Sequence, residues 1–497
     1  MDGPGVFRGE PPAGGREEEP VVNRIRRTGA LACAGAVVFG GLAVALGTQA
    51  DAQQTPIDQL LSQPLAGGSA LGKVQSRLAE VAAHNGLPTD QLRQILATDK
   101  TAWLDADSKL FFREPGLTAA QKAPEASPRW ARTAVAAAAG PAFELHSKPG
   151  SNRVIYLDFD GHTITGTAWN ASKGVDPVNV SAYDTDGDPA NFSTAEQDVV
   201  HEVWARVAED YASFDVDVTT QEPAQSAIDR SGASDEQYGT RVLIDPDTWY
   251  QSGCGCGGVA YVGVYDSTSQ HDYYQPALVF TKGVGTGAKN LAEAASHEAG
   301  HNVGLSHDGT STVGYYQGHG AWAPIMGVGY YRGISQWSKG EYADANNKED
   351  DYAVVGSHGL ALRADEAGDT VGDAAALTVG TPASGVIAAE NDTDVYRVDV
   401  SAAGNYTATA SSAPSGGNLD IKLDLLDSSG AVVASNDPAS GQSDAGTPTG
   451  LGASVSGSLQ PGTYYLRIDN VGYGDPLNTG YSTYGSRGAY TLGVSPS

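Results

Sequence analysis

Cysteine is almost missing from this chain. Only Cys33, Cys254 and Cys256 occur in 497 residues, and Cys33 falls in a segment expected to be removed. The fold is therefore no disulfide scaffold. Basic residues are also scarce. Thirty Lys and Arg face 59 Asp and Glu, a formal charge of −29. A nucleic-acid partner is excluded on that balance, because displacing counterions from phosphates needs a cationic face. Methionine is rarest of all, with Met326 alone besides Met1. After residue 46 no apolar stretch approaches membrane-spanning length, so no stable span is expected.

Apolar residues make up 40% of the chain, enough for packed cores, and the length suits two or three folded units. The acidic, turn-rich composition suits an extracellular protein and divalent cations, although a plain solvated acidic surface accounts for most of the charge. Arg24, Arg26 and Arg27 precede an apolar run over residues 30–46, and Ala50-Asp51-Ala52 has the small-x-small cleavage pattern. Residues 1–52 thus read as a secretion signal, with a membrane anchor as the alternative. Residues 53–140 read as a small helical propeptide and linker. Residues 74–81 carry helical spacing, Thr89 can cap a second helix, and residues 103–105 and 110–112 suggest a strand pair. Arg129 and Arg132 offer basic sites for proteolytic removal, which would make the chain a zymogen.

From residue 141 to 365 the pattern is α/β. Residues 154–159, 241–244 and 277–280 read as strands, residues 258–263 as another, and residues 215–219 as a half-exposed one. Ser193 and Glu196 form a capping box that opens a helix. From 368 to 497 short β runs alternate with Gly, Asn, Asp and Ser turns, the pattern of an antiparallel sandwich.

Chemistry concentrates between residues 293 and 308. A helix is expected over 293–305, capped by Asn290. It places His297 and His301 one turn apart on one face, where both imidazoles can reach one ion. Gly304 can take positive φ and turn the chain, bringing His307 back as the third ligand. Three neutral imidazoles leave Zn2+ its full charge, which lowers the pKa of bound water towards ~7. Glu298 then sits beside the open position as general base and acid.

His297-Glu298-x-x-His301-x-x-Gly304-x-x-His307 resembles the extended zinc signature of the metzincin peptidases, and Asp308 after it resembles the reprolysin (adamalysin) branch. Gametolysin-like secreted peptidases are a second possibility, because reprolysins usually carry more cysteine. Ala323-Pro324-Ile325-Met326-Gly327 is similar to the methionine turn beneath the metal. The resemblance implies a twisted mixed sheet with an active-site helix, protein or peptide substrates, and an edge strand that pairs antiparallel with substrate; residues 258–263 are the candidate. Asn391-Asp392-Thr393-Asp394-Val395-Tyr396, Gly462-Thr463-Tyr464-Tyr465-Leu466 and Gly474-Asp475-Pro476-Leu477 resemble the bacterial pre-peptidase C-terminal domain, a β-sandwich often trimmed from secreted peptidases.

The expected product is a secreted, monomeric zinc metalloendopeptidase; the alternative is a secreted binding or adhesion protein on a degenerate peptidase domain. Several further sites follow. Cys254 and Cys256 can form a tight disulfide or stay as thiols. Asp184, Asp186 and Asp188 around Gly187 form either a Ca2+ loop or an acidic turn. Tyr330 and Tyr331 follow the methionine turn, where packing is the default role and a catalytic one the alternative. His319 is expected to be structural. Because the propeptide has no cysteine, Asp105 or Asp107 is the expected donor if the cleft is blocked before processing.

Overall fold

The computed structural model describes residues 55–122 and 140–497. The expected leader over residues 1–52, and the linker bearing Arg129 and Arg132, lie outside those residues. Among the described residues no helix is long and apolar enough to cross a membrane.

The amino-terminal segment contains helices α1 (Gly67–Val74), α2 (Leu78–His84) and α3 (Thr89–Thr98). Each buries an apolar stripe at helical spacing, such as Leu92, Ile95 and Leu96 on α3. Thr89 is not the cap of α3. Extended Pro88 takes that position, and Thr89 is the first helical residue. Strands β1 (Leu65–Ala66), β2 (Ala102–Leu104) and β3 (Leu110–Pro115) accompany the helices, and β2 pairs antiparallel with β3, close to the strand pair expected over 103–105 and 110–112. Strand β3 reaches further. Its apolar residues 110–112 are buried, and its second edge pairs with a strand nearly 150 residues later.

That pairing joins the segment to one large mixed sheet. Its other strands are β4 (Arg153–Asp158), β5 (Asp217–Thr219), β6 (Tyr238–Asp245), β7 (Cys256–Tyr261) and β8 (Ala277–Phe280). The order is β1-β2-β3-β7-β8-β6-β4-β5. From β8 through β5 the neighbours run parallel, while β7 runs antiparallel to both β8 and β3. Strand β5 is fully buried rather than half exposed. Trp204 Nε1 donates to Val218 O, and His146 bridges to Thr219, so the sheet edge is covered.

Helix α4 (Thr194–Asp210) opens at Ser193 with the capping box that Ser193 and Glu196 predict. Helix α5 (Ala288–Asn302) is capped by Gly287, not by Asn290, whose amide instead donates to Val284 O at 2.9 Å. Small residues Ala292, Ala295 and Ala299 let α5 lie close to the sheet, against Val200, Val203 and Val207 of α4. At Gly304, with φ +97°, the chain leaves α5 and runs beneath it. The parallel strands Trp322–Pro324 and Ile334–Gln336 flank the methionine turn there.

Beyond residue 368 the chain is β-rich. A five-stranded sheet (Ala375–Leu377, Thr393–Val400, Gly462–Asn470, Ile421–Leu426, Val432–Asn436) faces a four-stranded one (Ala383–Ile387, Gly488–Pro496, Gly404–Ser412, Ala453–Leu459) across a shared apolar core. The pattern is antiparallel except where Ala375–Leu377 pairs parallel with Thr393–Val400. This region is packed against the α/β region. Tyr484 joins the core that holds Trp337 and Tyr352, and the Arg487 guanidinium lies 3.6 Å from the Tyr352 ring.

Candidate metal centre

Helix α5 carries His297 and His301 one turn apart, and the turn at Gly304 returns His307 to them. The ring centroids lie 4.8, 5.2 and 4.7 Å from one another. Each Nδ1 has its own acceptor. His297 donates to Ile325 O at 2.9 Å, His301 to Leu305 O at 2.8 Å, and His307 to Asp99 Oδ2 at 2.6 Å. A carbonyl or carboxylate oxygen can only accept, so each Nδ1 carries a hydrogen and Nε2 is the ring atom left to bind a metal. Those Nε2 atoms converge. His301 Nε2 and His307 Nε2 are 3.0 Å apart, and buried His297 Nε2 has no hydrogen-bond partner. Three buried imidazole Nε2 atoms facing one point, each able to give a lone pair once deprotonated, are a donor set that fits a divalent metal.

The surrounding field has the same sign. Against the cost of burial, Glu114 and Asp99 push the His307 pKa up to about 10, while burial brings His301 down to about 4. Glu298, next to His297 on α5, is fully buried and Oε2 has no partner. Burial, reinforced by the charge of Glu114, holds its carboxyl well above the ordinary range. Strand β7 passes directly over it. A Cβ at Gly258 would lie 2.0 Å from Glu298 Oε1, so only glycine fits there.

Met326 lies beneath the site, fully buried. Its sulfur would be 2.6 Å from a Cβ at Gly300, the residue before His301. The same turn holds two other parts of the site, because Ile325 O accepts from His297 and Met326 O accepts from Asp308 N at 2.9 Å. Asp308 itself is buried, and burial with the charge of Glu349 raises its pKa to about 8.

Glu114 is the residue the sequence did not point to. It comes from β3 and is buried among the three rings. Its Oε1 is 3.0 Å from His307 Nε2 and 3.4 Å from His301 Nε2, and its Oε2 is 3.8 Å from His297 Nε2. Burial opposes its charge, yet the charge of His307 and the nearby imidazole rings hold its carboxyl well below the usual value. The expected donors are elsewhere. Asp105 accepts from Lys109 N in its own turn, and Asp107 accepts from Tyr273. Tyr315 was also unforeseen. Its hydroxyl donates to Glu114 Oε2, and its ring centroid lies 4.2 Å from that of His307.

Tyr330 is within the field of Glu298 and Glu114, which add to burial in raising its hydroxyl pKa, whereas the Tyr331 hydroxyl accepts from Gln121. His319 bridges Tyr316 and Gly480 O, a structural position. Cys254 and Cys256 are bonded to each other. Asp184 and Asp186 have oxygens within 4.8 Å of Glu196, and Asp188 is not in that group. Their carboxylates already accept local backbone N–H groups, and Glu196 caps α4.

Two stretches of the chain match known families. Residues 182–308, from before α4 to Asp308, match the reprolysin-like metallopeptidases of family M12B, and residues 392–470 match the bacterial pre-peptidase C-terminal domain. A reprolysin-like domain implies zinc and protein substrates. No curated protein matches the chain significantly. Among solved structures, the pre-peptidase C-terminal domain of a collagenase from Bacillus anthracis is 19% identical, covering 27% of this chain and 97% of that one at a TM-score of 0.18. PliG of Aeromonas hydrophila, a periplasmic inhibitor of g-type lysozyme, is 16% identical, covering 25% and 98% at a TM-score of 0.16.

Proposed function

We propose that the chain is a secreted zinc-dependent endopeptidase, made with a leader over residues 1–52 and a propeptide and linker over 53–140. Residues 141–365 are its catalytic domain and 368–497 an appended β-sandwich. One observation carries the reading: three buried imidazole Nε2 atoms converge on a single point beside a buried carboxyl, Glu298, that has an unpartnered oxygen.

His297, His301 and His307 are the ligands in this reading. A zinc ion held there supplies Lewis acidity, lowering the pKa of water towards ~7 and polarising the scissile carbonyl. Glu298 takes the proton from the attacking water. Its burial next to His297 places it to pass that proton on to the leaving amine. The Nδ1 hydrogen bonds of His297 and His301 to peptide carbonyls fix ring orientation and tautomer. Strand β7, whose Gly258 leaves backbone close to Glu298, offers main-chain groups to an extended substrate. An intact Glu298 is what a binding-only descendant would have no use for.

The test is casein hydrolysis by wild type and Glu298→Ala, each nicked with trypsin that is then inhibited, with and without a zinc chelator. We expect the variant to lose on the order of 10²–10⁴ in rate, the yield of a positioned proton-transfer group. Equal, chelator-insensitive turnover by both forms would remove the mechanism.

A further inference from the structure

We propose that Glu114 is a fourth, removable ligand of the metal, and that the segment carrying it keeps the unprocessed chain latent by lying along β7 where substrate would lie. The proposal rests on the peptidase reading above.

Three independent features place the segment there. The first is backbone pairing. Strand β3 adds antiparallel to β7, with Phe111 opposite Tyr261, Phe112 opposite Ala260 and Arg113 opposite Val259. Gly116 N then donates to Gly255 O at 3.0 Å and Leu117 N to Gly283 O at 2.8 Å. An extended substrate could not use the same groups while β3 holds them.

The second is side-chain direction. Alternate residues of a strand share a face, so Phe112 and Glu114 both point at the metal site while Arg113 points away to stack on Trp103. The Phe112 ring lies 4.5 Å from His301 and 4.1 Å from His307. Between Arg113 and Pro115 the register shifts, and at that irregularity Glu114 reaches the three Nε2 atoms. A carboxylate there fits the residual charge of a metal held by neutral imidazoles, and it occupies the position a water needs.

The third is that the plug is held on both sides. Tyr315 donates to Glu114 Oε2 from the catalytic side. Asp99, just beyond α3, accepts from His307 Nδ1. The amino-terminal segment therefore supplies both a ligand and the outer partner of another ligand, and excising it frees both positions together.

The experiment is a spectroscopic titration of cobalt-substituted, unprocessed full-length protein with acetohydroxamate, a small bidentate metal ligand. In wild type Glu114 must leave first, so apparent affinity falls by the fraction of open sites; Glu114→Ala and the isosteric Glu114→Gln should bind at least about tenfold tighter. Their cobalt absorption should also differ from wild type before any ligand is added. Unprocessed Glu114→Gln should cleave casein faster than unprocessed wild type, and adding Glu298→Ala should abolish that gain. Identical cobalt spectra and hydroxamate affinities in wild type and both variants would overturn the plug while leaving the peptidase reading intact. Failure of all three proteins to take up cobalt or zinc would overturn both.

Discussion

The α/β region is gripped from two sides, and the grips differ in kind. The amino-terminal segment adds strands to a sheet edge and sends Glu114 and Asp99 to the histidines. The carboxy-terminal region is met by buried carboxylates at the end of α4. Glu209 accepts from Asn418 N and Ala489 N at 3.1 and 3.0 Å. Asp210 accepts from the Asn418 amide at 2.8 Å and from Ser296, the neighbour of His297. A strand edge released from β3 can pair again with water or with substrate. The carboxyls and N–H groups around α4 have no such substitute. On the proposal above, the first contact is exchangeable and the second constitutive, with the metal site regulated at its front and braced at its back.

The largest expected stability effect tests the second half of that contrast. Glu209→Ala strands one buried and one half-buried N–H donor and should cost roughly 2–5 kcal/mol in thermal or denaturant unfolding. Glu114→Ala, measured without metal, should cost less than half as much. Equal losses would break the comparison.

Next is the space between β7 and the Glu298 carboxyl. Gly258→Ala sets a Cβ where Glu298 Oε1 lies, so we expect a loss of ~10² in casein turnover after processing, the usual effect of displacing a reacting group by an ångström. Zinc content should be unchanged.

A smaller effect is visible in pH. Burial raises Glu209 from 4.5 to about 7 and Asp210 from 3.8 to about 8. A carboxyl with a raised folded pKa favours the folded state most at low pH, because above its ordinary value only the unfolded chain releases the proton. Stability should therefore fall as pH rises from 3.8, where Asp210 begins to count, through about 7 to about 8. Glu209→Gln should flatten the lower part of that slope in a series of melting curves.

The smallest effect is expected at Cys254 and Cys256. Their bond closes a loop of one intervening residue. Replacing both with serine should cost only ~1–2 kcal/mol, since little chain entropy is at stake.

What could be read from the sequence was local. The spacing of His297, His301 and His307, the glycine between the second and third, the Ser193–Glu196 box and the strand at 277–280 all act within a turn or a run, where periodicity and capping chemistry suffice. Methionine scarcity pointed to Met326, and the structure gives a reason: Gly300 leaves room for its sulfur under the helix. Glu114 and Asp99 could not be read this way. They meet His307 across 193 and 208 residues, and neither has a spacing that marks it. Asp105 and Asp107 look equally plausible in the sequence, but their turn directs them to Lys109 and Tyr273. Asn290 has the right chemistry for a cap but sits one turn too far along, where tertiary contact with Val284 claims its amide. Burial of β5 likewise came from Trp204 and His146, which alternation within the strand cannot show.

Zinc stoichiometry in folded protein tests the central claim most directly. After dialysis against a weak chelator, wild type and Glu298→Ala should each hold zinc in an amount equal to protein, because Glu298 is no ligand, while His301→Ala should hold little. Undiminished zinc in His301→Ala would place the ion elsewhere and contradict the account.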